Sequence, residues 1–271
     1  MRPTRVALTL VLALTACSKQ EDAGPTSLPA AENPQGKAEA TATTKASLAS
    51  PQIGGSMALV GDVSVELVLH RSGLVEAILT EPGGAALRRD LEVAVTATAR
   101  GGGHQEIGLS FSPERERFQG NAKAGIELAS APVDIALTIG GRKAQGRLDF
   151  AVALEAPRVG GHLVALQTYG AEILVRPDGT AYAFLRDSDG AFVNTGVELA
   201  ASVGTRAGAS ERLAFAFDPP RACFTASAKA GAELAPGPLA LTLRAGGKTF
   251  SGALARAAFS VSAVHGGQIV A

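Results

Sequence analysis

Most of this chain is one module that occurs twice, at a constant offset of 106 residues. Aligned with itself at that offset, the sequence needs no gap over roughly a hundred positions, which is the length of a small domain. The repeat therefore predicts two domains of one fold, residues 53–156 and 157–262. The clearest matches are Gly54-Gly55 with Gly160-Gly161, Glu66 with Glu172, Phe111 with Phe217, Pro113 with Pro219, and Lys123-Ala124-Gly125 with Lys229-Ala230-Gly231.

The end of the chain repeats the beginning of the module once more. A second shift of the same length carries Gly160-Gly161 onto Gly266-Gly267. Residues 264–271 are therefore either the stub of a third copy or a strand that completes the second domain, which then spans 157–271. The second interpretation predicts that residues 268–270 are ordered and paired along an edge of that domain.

Within each copy, apolar residues occupy every second position over short stretches. This alternation is clear from Val63 to Leu69, from Leu91 to Val95 and, in the second copy, from Ala171 to Val175. Glycine and proline interrupt the stretches about every ten residues, as turns do between strands. The sequence thus predicts an all-β fold, with two tandem immunoglobulin-like antiparallel β-sandwich domains. The absence of tryptophan and of a cysteine pair within a copy excludes the antibody type.

The N-terminus has the pattern of an export signal. Arg2 and Arg5 precede the apolar stretch 6–14, which is too short to cross a membrane. The stretch ends in Leu14-Thr15-Ala16-Cys17, which resembles the lipobox of bacterial lipoproteins. The resemblance implies that residues 1–16 are a signal peptide and that Cys17 is the lipidation site, carrying acyl chains such as palmitate. Because Ser18 follows the cysteine, and not the aspartate that indicates inner-membrane retention in enterobacteria, the resemblance also implies sorting to the outer membrane.

The segment from Cys17 to residue 52 has the composition of a flexible tether. It is rich in Ala, Thr, Ser, Pro, Glu, Lys and Gln, and Leu28 and Leu48 are its only large apolar residues. A segment of this composition cannot bury enough surface to offset the entropy lost on ordering, so residues 17–52 are expected to be a disordered linker behind the lipidated cysteine.

The chain has two cysteines, Cys17 and Cys223. If Cys17 carries lipid, Cys223 has no partner within the chain, and the fold does not depend on a disulfide. Cys223 lies in the strand-like stretch Ala222-Cys223-Phe224-Thr225. We expect a buried small apolar side chain there; the alternative is a reactive thiol.

Neither nucleic-acid binding nor catalysis has a signal in the sequence. Twenty-five Lys and Arg balance 25 Asp and Glu, so the basic surface of a nucleic-acid binder is missing. Gly246-Gly247-Lys248-Thr249 lacks the first glycine of a phosphate loop and predicts a hairpin tip, like its partner Gly140-Gly141. Asp187-Ser188-Asp189-Gly190 is expected to be a turn rather than a calcium loop. We predict no enzyme activity, no catalytic residues and no cofactors.

Two recurring residue types could still carry chemistry. Glu66 and Glu172 occur at equivalent positions, and their alternation predicts a solvated strand face rather than an acid–base pair. The four histidines, His70, His104, His162 and His265, fall at inequivalent positions of the repeat. A ligand set built into the module would recur, so no metal site is predicted from them.

These observations lead to an expected function class, a non-catalytic, membrane-anchored lipoprotein of the bacterial envelope that binds a partner or acts as a spacer. We expect attachment to the outer membrane through Cys17, a periplasmic or surface-facing orientation, and a protein of the envelope as partner. The Gly-Gly…Val-Glu-Leu-Val…Gly module resembles repeats of uncharacterised bacterial exported proteins, some of which accompany metal-efflux systems. The alternative is therefore a periplasmic accessory protein of metal handling or efflux, although four histidines and two methionines are few for that work.

Overall fold

The computed structural model describes residues 48–257, which form a succession of β-strands. These residues contain no α-helix, and only Pro219–Arg221 form a short 3-10 turn. Within them no helix is long and apolar enough to cross a membrane. The predicted signal peptide, Cys17, most of the predicted tether and the segment 264–271 lie outside the described residues.

The two copies contain matching sets of strands. In the first copy they are β1 (Ser56–Val60), β2 (Val63–His70), β3 (Leu74–Thr80), β4 (Ala86–Leu87), β5 (Leu91–Thr98), β6 (His104–Ser112), β7 (Arg117–Asn121), β8 (Ala131–Ile139), β9 (Arg142–Ala151) and β10 (Ala153–Leu154). In the second copy they are β11 (His162–Leu166), β12 (Tyr169–Val175), β13 (Thr180–Arg186), β14 (Val197–Thr205), β15 (Ser210–Asp218), β16 (Cys223–Ser227), β17 (Leu234–Ala245) and β18 (Lys248–Ala257).

Both copies have the same strand order. Neighbours in the first copy run β1-β2-β3-β7-β6-β5-β8-β9, and those in the second run β11-β12-β13-β16-β15-β14-β17-β18. All these pairings are antiparallel, and β10 adds a short parallel pairing to β2. The order β8-β5-β6-β7 is a Greek key, as in immunoglobulin-like sandwiches. The predicted all-β fold with two tandem immunoglobulin-like sandwiches is confirmed.

The core of each copy lies between its sheet layers. In β5, Val93, Val95 and Ala97 are buried while the residues between them are not, which is the predicted alternation. Leu199, Ala201 and Val203 follow the same pattern in the second copy. Each large apolar side chain buried in this way stabilises the fold by about 1.5–3 kcal/mol. Each copy has its own core cluster of such residues.

Strand β2 departs from the alternation. Seven of its eight residues are buried, because one face packs on the core and the other is covered by the chain in front of the first copy and by the second copy. On β12 the chain in front of the second copy covers Glu172, which is likewise buried. A pattern of period two predicts only which residues share a face; it does not show that the second face meets solvent.

The predicted hairpin tips are confirmed. Gly140 and Gly141 connect β8 to β9 with φ angles of 54° and 80°, and Gly246 and Gly247 connect β17 to β18 with φ angles of 55° and 75°. Two successive residues with positive φ form the two-residue turn that matches strand twist, and glycine adopts it without steric cost. Lys248 and Thr249 therefore begin a strand.

The module extends further towards the N-terminus than predicted. Residues 48–55, Leu-Ala-Ser-Pro-Gln-Ile-Gly-Gly, match residues 154–161, Leu-Glu-Ala-Pro-Arg-Val-Gly-Gly, at the same offset. In the structure Ala49 N–H donates to Ser64 Oγ (3.1 Å) and Gln52 N–H donates to Glu66. Residues 48–52, the last five of the predicted tether, are thus attached to the first sandwich.

The two copies meet along an apolar junction within one compact unit of the chain. Its centre consists of Val68, Val152, Leu154 and Ala165, all buried. Backbone hydrogen bonds reinforce the contact, since Ala165 N–H donates to the carbonyl of Gly54 at 2.7 Å and Ala255 N–H to that of Gln52 at 3.2 Å. The beginning of the first copy therefore packs on the first and last strands of the second.

Candidate functional site

Glu66 holds the beginning of the first copy in place. Its side chain is buried, and its carboxylate accepts hydrogen bonds from the backbone N–H groups of Gln52 (2.6 Å), Ile53 (2.9 Å) and Gly55 (2.8 Å). Burial raises the pKa of the Glu66 carboxyl above its ordinary value, and the backbone hydrogen bonds oppose that rise. The carboxylate closes the segment in front of β1 onto β2.

Glu172 makes the same arrangement in the second copy. It accepts from the backbone N–H groups of Arg158 (2.7 Å), Val159 (2.9 Å) and Gly161 (2.9 Å). The prediction of a solvated strand face for both glutamates is therefore wrong. The acid–base alternative also has no support, because each carboxylate is occupied by backbone donors of its own copy. Each glutamate, together with the three backbone N–H groups that it accepts, forms a structural element that recurs with the module. We call this element a clasp.

The histidines are not brought together. His70 lies 3.0 Å from Glu76, His104 is exposed at the start of β6, and His162 begins β11 in the other copy. His265 lies outside the described residues. Among residues 48–257, no group of three or more His, Cys, Asp or Glu side chains could hold a metal ion.

A polar cluster surrounds the buried Glu76 in the first copy only. Gln119 donates to its carboxylate at 2.6 Å, His70 lies at 3.0 Å, and Arg117 forms an ion pair at 3.5 Å. Burial favours the neutral acid, but these hydrogen bonds and the charge of Arg117 outweigh it and lower the pKa of Glu76. In the second copy Tyr182 stands at the position of Glu76.

The Asp187–Gly190 segment is a turn, as predicted. Asp187 Oδ1 accepts the N–H groups of Asp189 (3.0 Å) and Ala191 (2.9 Å). Such side-chain hydrogen bonds to the following backbone are what makes aspartate a turn residue. That oxygen is thus used within the loop itself.

The same loop joins the two copies. The carbonyl of Ser188 accepts from Arg71 Nη2 (3.1 Å) and from Ser130 Oγ (2.7 Å), both in the first copy. Arg71 is 6% exposed, and its Nε lies 2.8 Å from Glu155, an ion-pair distance without hydrogen-bond geometry. Sequence analysis missed Arg71. The only signal was its difference from the second copy, where Pro177 is equivalent.

The second copy has an aromatic cavity at its surface. Phe192 is 48% exposed and stands at its mouth, and Cys223 and the edge-to-face pair Phe217 and Phe224 form part of its wall. The volume of the cavity is about 240 Å³. The Phe217–Phe224 pair recurs in the first copy as Phe111 and Phe118.

Two arginines hold the exposed ring. The guanidinium carbon of Arg186 lies 4.0 Å from the centroid of Phe192, and that of Arg158 lies 4.9 Å from it. Cation–π contacts of this kind stabilise a ring that would otherwise be free to rotate. Arg158 is at the same time part of the second clasp, through its backbone N–H. The aromatic side chain is therefore fixed in an exposed position.

Cys223 lines the cavity with an unreactive thiol. As predicted, it lies in a strand and is buried, and it forms no disulfide. Burial, and next the charge of Asp218, raise the pKa of its thiol. The thiol is therefore protonated at neutral pH and acts as a small apolar group.

This cavity is not required by the module. At the positions of Phe192, Phe184, Cys223, Arg186 and Arg158 the first copy has different residues, namely Ala86, Ile78, Arg117, Thr80 and Gln52. Both copies nevertheless have the same strand order. No sequence motif marks this site, so the residues that form it were not predicted. A comparison of the copies position by position for large apolar and cationic differences would have found it.

No protein-family model and no curated protein matches this chain. Among solved structures, the chain is similar to a marsupial T cell receptor, with 9% sequence identity and a TM-score of 0.22. The match covers 73% of this chain and 96% of that one. The strand pairing defines the class of protein, an all-β protein of two tandem antiparallel sandwiches.

Proposed function

We propose that this chain is a non-catalytic, lipid-anchored protein of the bacterial envelope, and that its second sandwich binds a protein partner through the Phe192 cavity. The observation that carries the binding role is the exposed Phe192, held by Arg158 and Arg186 at the mouth of an apolar cavity. The first copy has neither this ring nor these two arginines at the equivalent positions. The first sandwich and the tether serve as a spacer.

The chemistry of the cavity favours a protein as the ligand. Exposed aromatic residues and arginines are enriched at the centres of protein interfaces. A volume of about 240 Å³ is below the range of small-molecule pockets, and it suits one large apolar side chain. The cationic groups at the rim favour a partner segment in which an apolar anchor is flanked by carboxylates.

The anchoring role is supported by the sequence. Cys17 stands directly after a small-residue cleavage site, and the segment between it and Leu48 is long enough to separate the sandwiches from a membrane surface. A partner in the envelope would then share the same membrane surface with this protein. Confinement of both proteins to that surface raises their effective concentration.

Site-specific photo-cross-linking tests the binding role. A photoreactive phenylalanine analogue at position 192 of the full chain should give a discrete adduct with an envelope protein. The same analogue at position 136, an exposed position on β8, is the matched control. Phe192→Ser should abolish co-purification of the adduct's partner from solubilised envelope, and Leu59→Ser, which removes another exposed apolar residue, should not. Equal adducts at positions 192 and 136, or none at position 192, would contradict the proposal.

A further inference from the structure

The first copy binds the turn of the second copy that precedes Phe192. This turn, residues 187–190, follows β13, and the carbonyl of Ser188 within it accepts hydrogen bonds from Arg71 Nη2 (3.1 Å) and Ser130 Oγ (2.7 Å). A charged guanidinium forms a stronger hydrogen bond than a neutral donor does. The turn is therefore attached to the first copy through two side chains.

The two donors are themselves fixed within the first copy. Arg71 is buried, and its backbone N–H donates to the carbonyl of Leu154 at 2.8 Å. Ser130 Oγ accepts from the backbone N–H of Ala153 at 3.0 Å while its own hydroxyl donates to Ser188. Side chains that are held in this way can fix the position of the groups that they bind.

The turn also packs closely against Arg71. Gly190 has a φ angle of 88°, and a Cβ atom on it would lie 2.5 Å from Glu155 Oε1 and 3.2 Å from Arg71 Nη2. Glu155 is the ion-pair partner of Arg71. At the equivalent Gly84, which has a φ angle of 86°, such an atom would meet no other residue within 4 Å in the described part of the chain. The close packing thus comes from the junction and not from the turn itself.

The turn does not need the contact with Arg71 in order to form. The equivalent turn of the first copy, residues 81–84, is exposed. It nevertheless has the same two backbone hydrogen bonds, with N···O distances of 2.9 Å, that close the turn at 187–190 with distances of 3.0 and 3.1 Å. The contact with Arg71 therefore determines where the turn lies, because the local hydrogen bonds are sufficient to form it.

The position of Phe192 depends on this turn. Arg186 and Phe192 are paired across it in an antiparallel bridge, and Arg186 Nη1 donates to the carbonyl of Gly190 at 2.6 Å. The guanidinium carbon of the same arginine lies 4.0 Å from the centroid of the Phe192 ring. Because Arg186 contacts both the turn and the ring, a displacement of the turn displaces the ring as well.

We propose that Arg71 is a positioning residue for the Phe192 cavity, so that the first copy takes part in binding in addition to its role as a spacer. At the positions of Arg71 and Ser130 the second copy has Pro177 and Pro236, which carry no side-chain donor, so the fold of the module does not require this contact. A ring that is already held in place loses less conformational entropy on binding, which raises its affinity for a partner. The effect on binding rests on the proposed function, whereas the positioning of the ring does not.

Fluorine NMR of the full chain tests the positioning without a partner. 4-Fluorophenylalanine at position 192 reports the surroundings and the motion of the ring. Arg71→Met removes the donors and retains an unbranched side chain, so it should shift the resonance towards that of the urea-unfolded chain. Arg71→Lys, which retains one donating group, should shift it less, and Ser130→Ala should shift it in the same direction. Arg117→Met is the matched control, because Arg117 is a half-buried arginine that forms its ion pair with Glu76 inside the first copy. It should leave the resonance unchanged.

Cross-linking tests the consequence for binding. With the photoreactive analogue at position 192, the yield of the discrete adduct should fall several-fold in Arg71→Met and stay unchanged in Arg117→Met. Three results would overturn the proposal: an unshifted resonance in both Arg71→Met and Ser130→Ala, equal shifts in Arg71→Met and Arg117→Met, or an undiminished adduct in Arg71→Met. A parent chain that gives no adduct, together with the expected shifts, would overturn the proposed function and support the positioning of the ring by Arg71.

Discussion

Glu66 and Glu172 stand at the same position of the two copies, and each carboxylate accepts three backbone N–H groups from the segment that begins its own copy. The donors come from residues 14, 13 and 11 positions earlier in both cases. One carboxylate thus replaces a strand pairing at the place where the chain enters each sandwich. Its recurrence shows that this is how the module begins.

Replacement of Glu66 by glutamine should destabilise the first sandwich. The amide retains one accepting oxygen but turns an NH2 group towards a backbone N–H donor, so at least one buried donor loses its partner. We expect a loss of about 1–3 kcal/mol in the free energy of unfolding, and a larger loss for Glu66→Ala. Denaturant titration measures it, with Glu92→Gln on the exposed side of β5 as the control. Equal stability of the two glutamine variants would show that the clasp contributes nothing.

Glu76 should make the first copy sensitive to acid. Because its pKa is lowered in the folded state, its contribution to stability is present above the ordinary value of 4.5 and is lost as the pH falls below that value. Melting temperatures measured between pH 7 and pH 3 should therefore fall less steeply for Glu76→Gln than for the parent chain. The variant should also be less stable at neutral pH. Parallel pH profiles would contradict the assignment.

The sequence was sufficient for the regular part of the fold. Period-two alternation predicted strands such as β5, because one face of β5 packs on the core and the other is solvated. The Gly-Gly pairs predicted the hairpin tips, since two positive φ angles in succession favour glycine. Both signals are local, and both depend on neighbours close in sequence.

The clasps and the cavity depend on neighbours that are far apart in sequence. Glu66 looked exposed because its strand alternates, and only the folded chain shows that the segment in front of β1 covers the second face of β2. Phe192 had no motif at all. The pairing of Arg158 with Phe192 joins two segments more than thirty residues apart, which no local pattern encodes. Differences between equivalent positions of the two copies are the sequence signal that points to the cavity.

The proposed membrane anchor depends on Cys17. Cys17→Ser removes the thiol that accepts the lipid, so the chain should leave the membrane fraction or accumulate as an unprocessed precursor. Fractionation of cells and intact-mass measurement of the purified protein check this. The control is Cys223→Ser, which removes the buried thiol and should leave fractionation unchanged. An unsubstituted chain without a mass increment from acyl chains would show that no lipid is attached.

Each copy should fold alone, and the residue at which the first copy begins should affect its stability. The core clusters of the two copies are separate, so residues 48–156 and 157–271 should each give a β-type circular dichroism spectrum. A first copy that starts at residue 53, the predicted boundary, lacks the Gln52 N–H donor to Glu66 and the hydrogen bond from Ala49 to Ser64. It should therefore melt at a lower temperature than residues 48–156, by several degrees for the loss of about 1–3 kcal/mol. The difference should disappear when both fragments carry Glu66→Ala and Ser64→Ala, because the donors then have nothing to bind. Identical melting of the two unsubstituted fragments would place the beginning of the module at residue 53 after all.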